Sequence, residues 1–83
     1  GDFDAQARQV YTNLKNILQE AGGSLKNIVK TTSILTHYGN VEGYKKVRDE
    51  FFGEIMRPNA LRIIESLASP DFMIEVEAIA VLD

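Results

Sequence analysis

The sequence predicts an α+β domain in which two helices pack on one face of a small three-stranded sheet. Two segments repeat apolar residues at steps of three and four, as amphipathic helices do. One further segment, residues 28–36, is rich in β-branched residues, and residues 73–82 alternate between two faces. The chain has 83 residues, of which 45% are hydrophobic. We therefore expect a single domain, residues 1–83, with a thin core that self-association would help to cover.

The first helix is predicted to begin at Phe3. Its apolar stripe consists of Phe3, Ala7, Val10, Leu14, Ile17 and Ala21. Asp2 or Asp4 can cap its amino terminus, and Gly22 with Gly23 can end it. The polar residues between the stripe positions are expected to face solvent.

The first strand and the second helix follow. Residues 28–36 form the predicted strand, and Asn40 is the expected N-cap of the helix. The helical stripe is Val41, Tyr44, Val47, Phe51 and Ile55. Gly53 falls late in this pattern and is expected to mark fraying. Pro58 then ends the helix, since proline lacks the amide donor.

Two more strands complete the prediction. Residues 60–67 form the first of them, and residues 68–71 provide turn residues before the last one. The last two strands are expected to pair as a hairpin. The unit from the first strand through the second helix to residues 60–67 is expected to be a right-handed crossover.

The final strand presents two different faces. One face is wholly apolar and consists of Ile74, Val76, Ala78, Ala80 and Leu82. The other begins with Glu75 and Glu77 and ends with Ile79 and Val81. This second face fits neither a solvated surface nor a plain core. We therefore expect another subunit to cover it, with a carboxylate left at the edge of that cover for a ligand.

Charge and composition exclude several classes of function. The net charge is −3 and the Lys and Arg residues form no basic stripe, so nucleic-acid binding is disfavoured. The chain has no cysteine and no apolar run of about 20 residues, so neither disulfides nor a membrane span is predicted. A cytoplasmic protein is the expectation. His37 is the single histidine and has no nearby ligand partners in the sequence, so no metal site is predicted.

Glu75 and Glu77 are the first candidates for chemistry. Their side chains lie on one face, about 6.5–7 Å apart along the strand, where mutual repulsion can raise one pKa. The alternative is that they pair with Arg57, Arg62 or a lysine of a partner. Arg57, beside Pro58, can bind a carboxylate in a fork, although a surface arginine at a turn is equally ordinary.

Several stretches together resemble the Rid (YjgF, L-PSP) family. They are Ala5–Val10 with Asn13 and Leu14, the VKTT segment 29–32, the FFGE segment 51–54, and above all the IEVEAIAV segment 74–81. The resemblance runs from Phe3 to Leu82. It implies a chorismate-mutase-like fold, a homotrimer, and ligand clefts between subunits. The implied activity is hydrolysis of reactive enamine and imine intermediates to 2-oxo acids and ammonia, without a metal or organic cofactor.

The resemblance also assigns roles to individual residues. Glu75 matches the glutamate that positions water or substrate in the family. The arginine that clamps the substrate falls on Asn59, with Arg57 two residues away, and a helical asparagine of some members falls on Lys45. Family members also carry an amino-terminal third with an edge hairpin and a Ser-Gly-Gln segment. The chain therefore corresponds to a truncated Rid-like domain, and the position beside its first strand is expected to be empty.

Four functions remain open from the sequence. The first is a Rid-type deaminase in which Glu75 orients water and Asn59 or Arg57 binds substrate. The second is a non-catalytic domain that binds a small metabolite or a protein. An endoribonuclease, as some relatives are described, is disfavoured by the acidic net charge. A chorismate mutase would need several arginines around a dicarboxylate, and only Arg57 is well placed.

Overall fold

The computed structural model describes residues 2–53 and 58–82 and shows an α+β fold. Within these residues the chain forms two helices and three strands. They are α1 (Phe3–Glu20), β1 (Ile28–Leu35), α2 (Val41–Phe52), β2 (Asn59–Ile63) and β3 (Ile74–Ala80). Short 3₁₀ turns at Leu25–Asn27 and Tyr38–Asn40 precede β1 and α2. The predicted fold class and element order are confirmed.

The sheet has the order β2-β1-β3, with β1 parallel to β2 and antiparallel to β3. The predicted hairpin between the last two strands is therefore wrong, because β1 lies between them. The connection, residues 64–73, is longer than the about two to five residues of a hairpin loop, so it can carry the chain across the sheet. The expected vacancy beside β1 is also wrong, since both edges of β1 carry a strand.

Helix α1 begins as predicted and buries the first part of the predicted stripe, since Phe3 and Ala7 are buried and Val10 and Leu14 pack against the core, but not its end. The side chain of Asp2 accepts a 3.0 Å hydrogen bond from the amide of Ala5, which confirms the cap. Tyr11 and Leu18 are buried, whereas Ile17 is 64% exposed. The ring of Tyr11 packs against Phe51 and Phe52 of α2, with centroid distances of 5.4 and 5.8 Å. This contact turns Tyr11, rather than Ile17, toward the core.

Helix α2 buries Tyr44 and Val47, as its stripe predicts. Asn40 stands at the N-cap but makes no side-chain capping bond, because a 3₁₀ turn leads directly into the helix. Gly53 ends the helix with φ +62° and ψ −136°, so it is a helix terminator and not a point of fraying. Ile55 lies outside the described residues.

Strand β2 is shorter than predicted. It ends at Ile63, which pairs with Leu35, the last residue of β1. Residues 64–67 lie beyond the end of β1 and have no strand to pair with, although the Ile64 amide still donates to the Leu35 carbonyl. The length of the central strand thus sets the length of its neighbour.

The core lies between the helices and one face of the sheet. Its buried cluster is Phe3, Ala7, Tyr11, Leu35, Tyr44, Val47 and Ile74. The helices are also joined by ion pairs from Arg8 to Glu50 and from Lys46 to Asp4, each 2.8 Å long. In the described ranges, no helix is long and apolar enough to span a membrane.

Candidate functional site

The carboxylate of Glu75 lies on the face of the sheet that the helices leave uncovered, called here the outer face. Glu75 pairs with Ile34 of β1, and Glu77 pairs with Thr32. Ser33 and Leu35, which alternate with these β1 residues, are fully buried toward the helices. Both glutamates are exposed, whereas Ile74 on the opposite face is buried. The two-faced pattern predicted for the last strand is confirmed.

The far end of the outer face is apolar. Ile79 and Val81 are 58% and 60% exposed, and Ile79 pairs with Lys30 of β1. The outer face therefore carries carboxylates at one end of β3 and aliphatic side chains at the other. Nothing in the described part of the single chain covers either end.

A groove of about 620 Å³ runs between α1 and β3. Its floor and sides are largely apolar and include Val10, Leu14 and Ile17 of α1, with Phe72 before β3. Ile74 and Val76 of β3 line it from the helix side, and Glu75 between them is also part of the lining, although its side chain belongs to the outer face. A largely apolar groove with a few polar residues is an arrangement that can bind a small, partly polar ligand.

Gln6 holds the segment that leads into β3. Its side-chain nitrogen donates 2.8 Å to the carbonyl of Asp71, and its side-chain oxygen accepts 3.0 Å from the amide of Met73. The two bonds fix the backbone just before Glu75. Sequence reasoning missed this role and placed Gln6 on a solvated face, because a bond to a backbone so distant in the chain leaves no local pattern.

Asn59 lies on the opposite face of the sheet from Glu75. Its Oδ1 atom accepts hydrogen bonds from the hydroxyls of Thr31, at 2.7 Å, and Ser33, at 3.0 Å. The hydroxyl of Tyr44 donates in turn to Ser33 Oγ at 2.8 Å. Asn59 therefore belongs to a polar network on the helix side, and β1 separates it from Glu75 within one chain.

The Tyr11 hydroxyl extends this network beneath α1. Burial raises its pKa above the ordinary tyrosine value, with a further contribution from the neighbouring Tyr44 and an opposing one from the Ser33 hydroxyl. Tyr11 therefore remains a neutral hydrogen-bonding group throughout the physiological pH range. No buried side-chain polar atom of the described residues lacks a partner.

Comparison with known proteins identifies the family. A family model described as endoribonuclease L-PSP matches residues 1–82. The chain belongs to the L-PSP family. A RutC family protein of Pyrococcus abyssi is 39% identical over 80 residues, which cover 96% of this chain and 62% of that protein. The 3-aminoacrylate deaminase RutC of Acinetobacter baylyi is 35% identical over 80 residues, covering 96% and 63% respectively.

Solved L-PSP and YjgF structures share the fold. RidA from the Antarctic bacterium Psychrobacter sp. matches with a TM-score of 0.89 and 32% identity, covering 98% of this chain and 65% of that one. Escherichia coli TdcF, solved with bound serine, matches with a TM-score of 0.92 and 30% identity, covering 100% and 67%. The predicted Rid/YjgF resemblance is confirmed. The chain spans less than two thirds of the length of the curated relatives given above.

The structure does not unite the predicted site residues of this L-PSP chain. Glu75 and Asn59 stand on opposite faces, and Arg57 lies outside the described residues. His37 is exposed, with Nδ1 2.9 Å from the hydroxyl of its neighbour Thr36. Across residues 2–53 and 58–82, no group of three His, Cys, Asp or Glu side chains is placed to hold a metal ion.

Proposed function

We propose that this chain is a Rid-type deaminase domain that hydrolyses 2-aminoacrylate-type enamines and imines to 2-oxo acids and ammonia. The observation that carries the proposal is Glu75, an exposed carboxylate on the outer face with no ion-pair partner among the described residues. Membership of the L-PSP family and the relative named a 3-aminoacrylate deaminase support it.

The chemistry needs one carboxylate and a water molecule. A solvent proton added at C3 converts the enamine to the protonated imine, and water then adds to the C2 carbon while the Glu75 carboxylate accepts a proton from it, which gives a neutral carbinolamine. Glu75 returns this proton to the nitrogen, ammonia leaves, and the carbinolamine hydroxyl becomes the carbonyl as its proton passes through the Glu75 carboxylate back to solvent. Aminoacrylate and water thereby give pyruvate and ammonia. No metal or organic cofactor is required by this sequence of steps.

We also propose that the working assembly is a homotrimer in the cytoplasm, with clefts between subunits. Glu75 and Asn59 face opposite sides of the sheet, so a cleft that uses both must take them from different copies. The exposed Ile79 and Val81 provide apolar surface for such a contact. In this arrangement Asn59 contributes its amide Nδ2, because Oδ1 already accepts two hydroxyl donors. Arg57 remains the second predicted substrate-binding residue.

The test compares Glu75→Gln with Glu77→Gln. Freshly generated 2-aminoacrylate is added to each protein, and pyruvate and ammonia are measured over time. We expect Glu75→Gln to slow the reaction by about 10²–10⁴-fold, as loss of a general base does, and Glu77→Gln to stay close to wild type. Wild-type release of ammonia no faster than in buffer would disprove the deaminase.

A non-catalytic ligand-binding domain is the second candidate. It is favoured by Asn59, which stands where the family's arginine is expected and faces the helix side. Pyruvate binding by the wild-type chain, without any turnover of 2-aminoacrylate, would support this candidate over the deaminase. An RNA-cleaving role would require salt-dependent RNA binding and cleavage that is lost in Glu75→Gln.

A further inference from the structure

Arg62, Ile34 and Glu75 form one row across the outer face. Arg62 of β2 is the register partner of Ile34 in β1, and Ile34 is the partner of Glu75 in β3. Paired residues on neighbouring strands point to the same side of a sheet. With strands about 4.8 Å apart, the Cα atoms of Arg62 and Glu75 lie about 10 Å apart, with the side chain of Ile34 between them.

Both charged side chains of this row are available. Arg62 and Glu75 are exposed, and neither takes part in an ion pair with another described residue. They are also not paired with each other. A guanidinium and a carboxylate that face the same space across one apolar residue leave room for a small ligand between them.

Arg62 is the cation of the outer face that lies in the same row as Glu75. In the described strands, the other outward-facing cation is Lys30, whose partner on β3 is Ile79. Ile79 is four residues from Glu75, about 13 Å along the strand. A ligand with three or four carbons whose reacting carbon meets Glu75 cannot also reach Lys30 without a large displacement.

We propose that Arg62 binds the carboxylate of a small 2-imino or 2-oxo acid held over Ile34, with the C2 carbon of that acid facing Glu75. The identity of the ligand rests on the proposed function, whereas the role of Arg62 rests on the register. The guanidinium offers two parallel N–H donors that match a carboxylate, and Ile34 provides an apolar floor for the ligand's methyl or methylene group. Arg62 thereby replaces the family arginine whose position is occupied by Asn59.

The test measures binding of pyruvate, so it does not depend on turnover. Isotope-labelled wild type, Arg62→Gln, Arg62→Lys and Lys30→Gln are titrated with pyruvate and with its neutral amide, and the dissociation constants come from amide chemical shifts. We expect Arg62→Gln to weaken pyruvate binding by about 10- to 100-fold, as loss of a charged hydrogen-bonding partner does. Arg62→Lys should retain part of the affinity, since lysine keeps the charge but not the fork.

Two controls separate a binding role from a structural one. Lys30→Gln removes the other outward-facing charge and should change pyruvate affinity by less than about two-fold, because surface charges at this distance are largely screened. The neutral amide should bind wild type and Arg62→Gln alike. Unperturbed shifts away from the row establish that each variant is folded.

The outcomes distinguish this inference from the proposed function. Pyruvate binding that depends on Arg62, with no turnover of 2-aminoacrylate by wild type, would support the binding role of Arg62 and contradict the deaminase activity. Turnover by wild type with an unchanged KM in Arg62→Gln keeps the deaminase and overturns the inference. Equal pyruvate affinity in wild type and Arg62→Gln, or no pyruvate binding by wild type, also overturns it.

Discussion

The hydroxyl of Tyr44 on α2 donates a 2.8 Å hydrogen bond to the hydroxyl of Ser33 on β1. Both residues are essentially inaccessible to solvent, at 1% and 0% exposure. The Ser33 hydroxyl donates in turn to Oδ1 of Asn59 on β2, so a series of hydrogen bonds links a helix, the central strand and an edge strand. The bond thus anchors α2 over the parallel half of the sheet.

Removal of the tyrosine hydroxyl should destabilise the fold. Tyr44→Phe keeps the aromatic ring under the Arg48 guanidinium, which lies 5.5 Å from the ring centroid, and deletes the hydroxyl that donates to Ser33. We expect the free energy of unfolding to fall by about 1–2 kcal/mol, since Ser33 loses a buried partner. Urea denaturation measures the change. Tyr38→Phe, at a residue that is 79% exposed, is the control and should leave the midpoint unmoved.

Replacement of Gly53, at the carboxyl end of α2, should destabilise the fold. Space is not the reason, since among the described residues no atom beyond its chain neighbours lies within 4 Å of an added Cβ. Its φ of +62° combined with ψ of −136° is a conformation nearly confined to glycine, so Gly53→Ala should cost about 1–3 kcal/mol. Gly39→Ala, equally open but without a positive φ, should lie within about 0.5 kcal/mol of wild type. Equal denaturation midpoints for the two variants would contradict this reading.

The Arg8–Glu50 pair should make stability depend on pH in the acidic range. Its hydrogen bond and charge lower the pKa of Glu50 from the ordinary glutamate value. Because the folded pKa is the lower one, the contribution is complete above the unfolded pKa and is lost as the pH falls through the folded pKa. Thermal melts of wild type and Glu50→Gln should therefore differ slightly at pH 7, and the difference should disappear as the pH falls below the lowered pKa of Glu50.

High salt should reduce the difference in thermal stability between wild type and Glu50→Gln, since the side chains of Arg8 and Glu50 are both about half exposed. Glu42→Gln is the matched control on α2, because Glu42 is 90% exposed and its contact with Lys45 is 3.9 Å long. A larger effect from Glu42→Gln than from Glu50→Gln would show that the inter-helix pair is not the source.

Self-association should depend on the apolar end of the outer face. Ile79→Asp places a charge among residues that the proposed subunit contact would cover, and should shift the chain toward monomer by at least ten-fold in the association constant. Ile17→Asp is the control, since Ile17 is similarly exposed, at 64% against 58%, but lies on α1. Light scattering at micromolar concentration measures both. Dissociation by Ile17→Asp alone would place the contact on the groove side.

Periodicity predicted the elements of this fold but not their neighbours. The alternation of residues 74–81 identified correctly which side chains of β3 are buried and which are exposed. The same pattern carries no information on strand order, so the sequence predicts that β3 pairs with β2, whereas it pairs with β1. Adjacency in sequence favours a hairpin, and here the connection of residues 64–73 makes the other pairing accessible.

The residues of the candidate site could likewise be predicted from the sequence, but not their neighbours on other strands. Glu75 could be found from its motif, because the motif lies on one strand and defines its own face. Asn59 could be predicted from the resemblance to the family, but the side of the sheet that it faces is seen only from its hydrogen bonds with Thr31 and Ser33 of another strand. Arg62 was one of several cations that could pair with the glutamates, and only the register places it in the row of Glu75.

The central position of β1 has a consequence for the chain as it is synthesised. When residues up to 63 have left the ribosome, β1 can pair with β2 on one edge, but its other edge must wait for residues 74–80. A growing chain therefore exposes the backbone donors and acceptors of an eight-residue strand until its most distant partner arrives. During that interval, pairing between nascent chains on one messenger competes with correct folding.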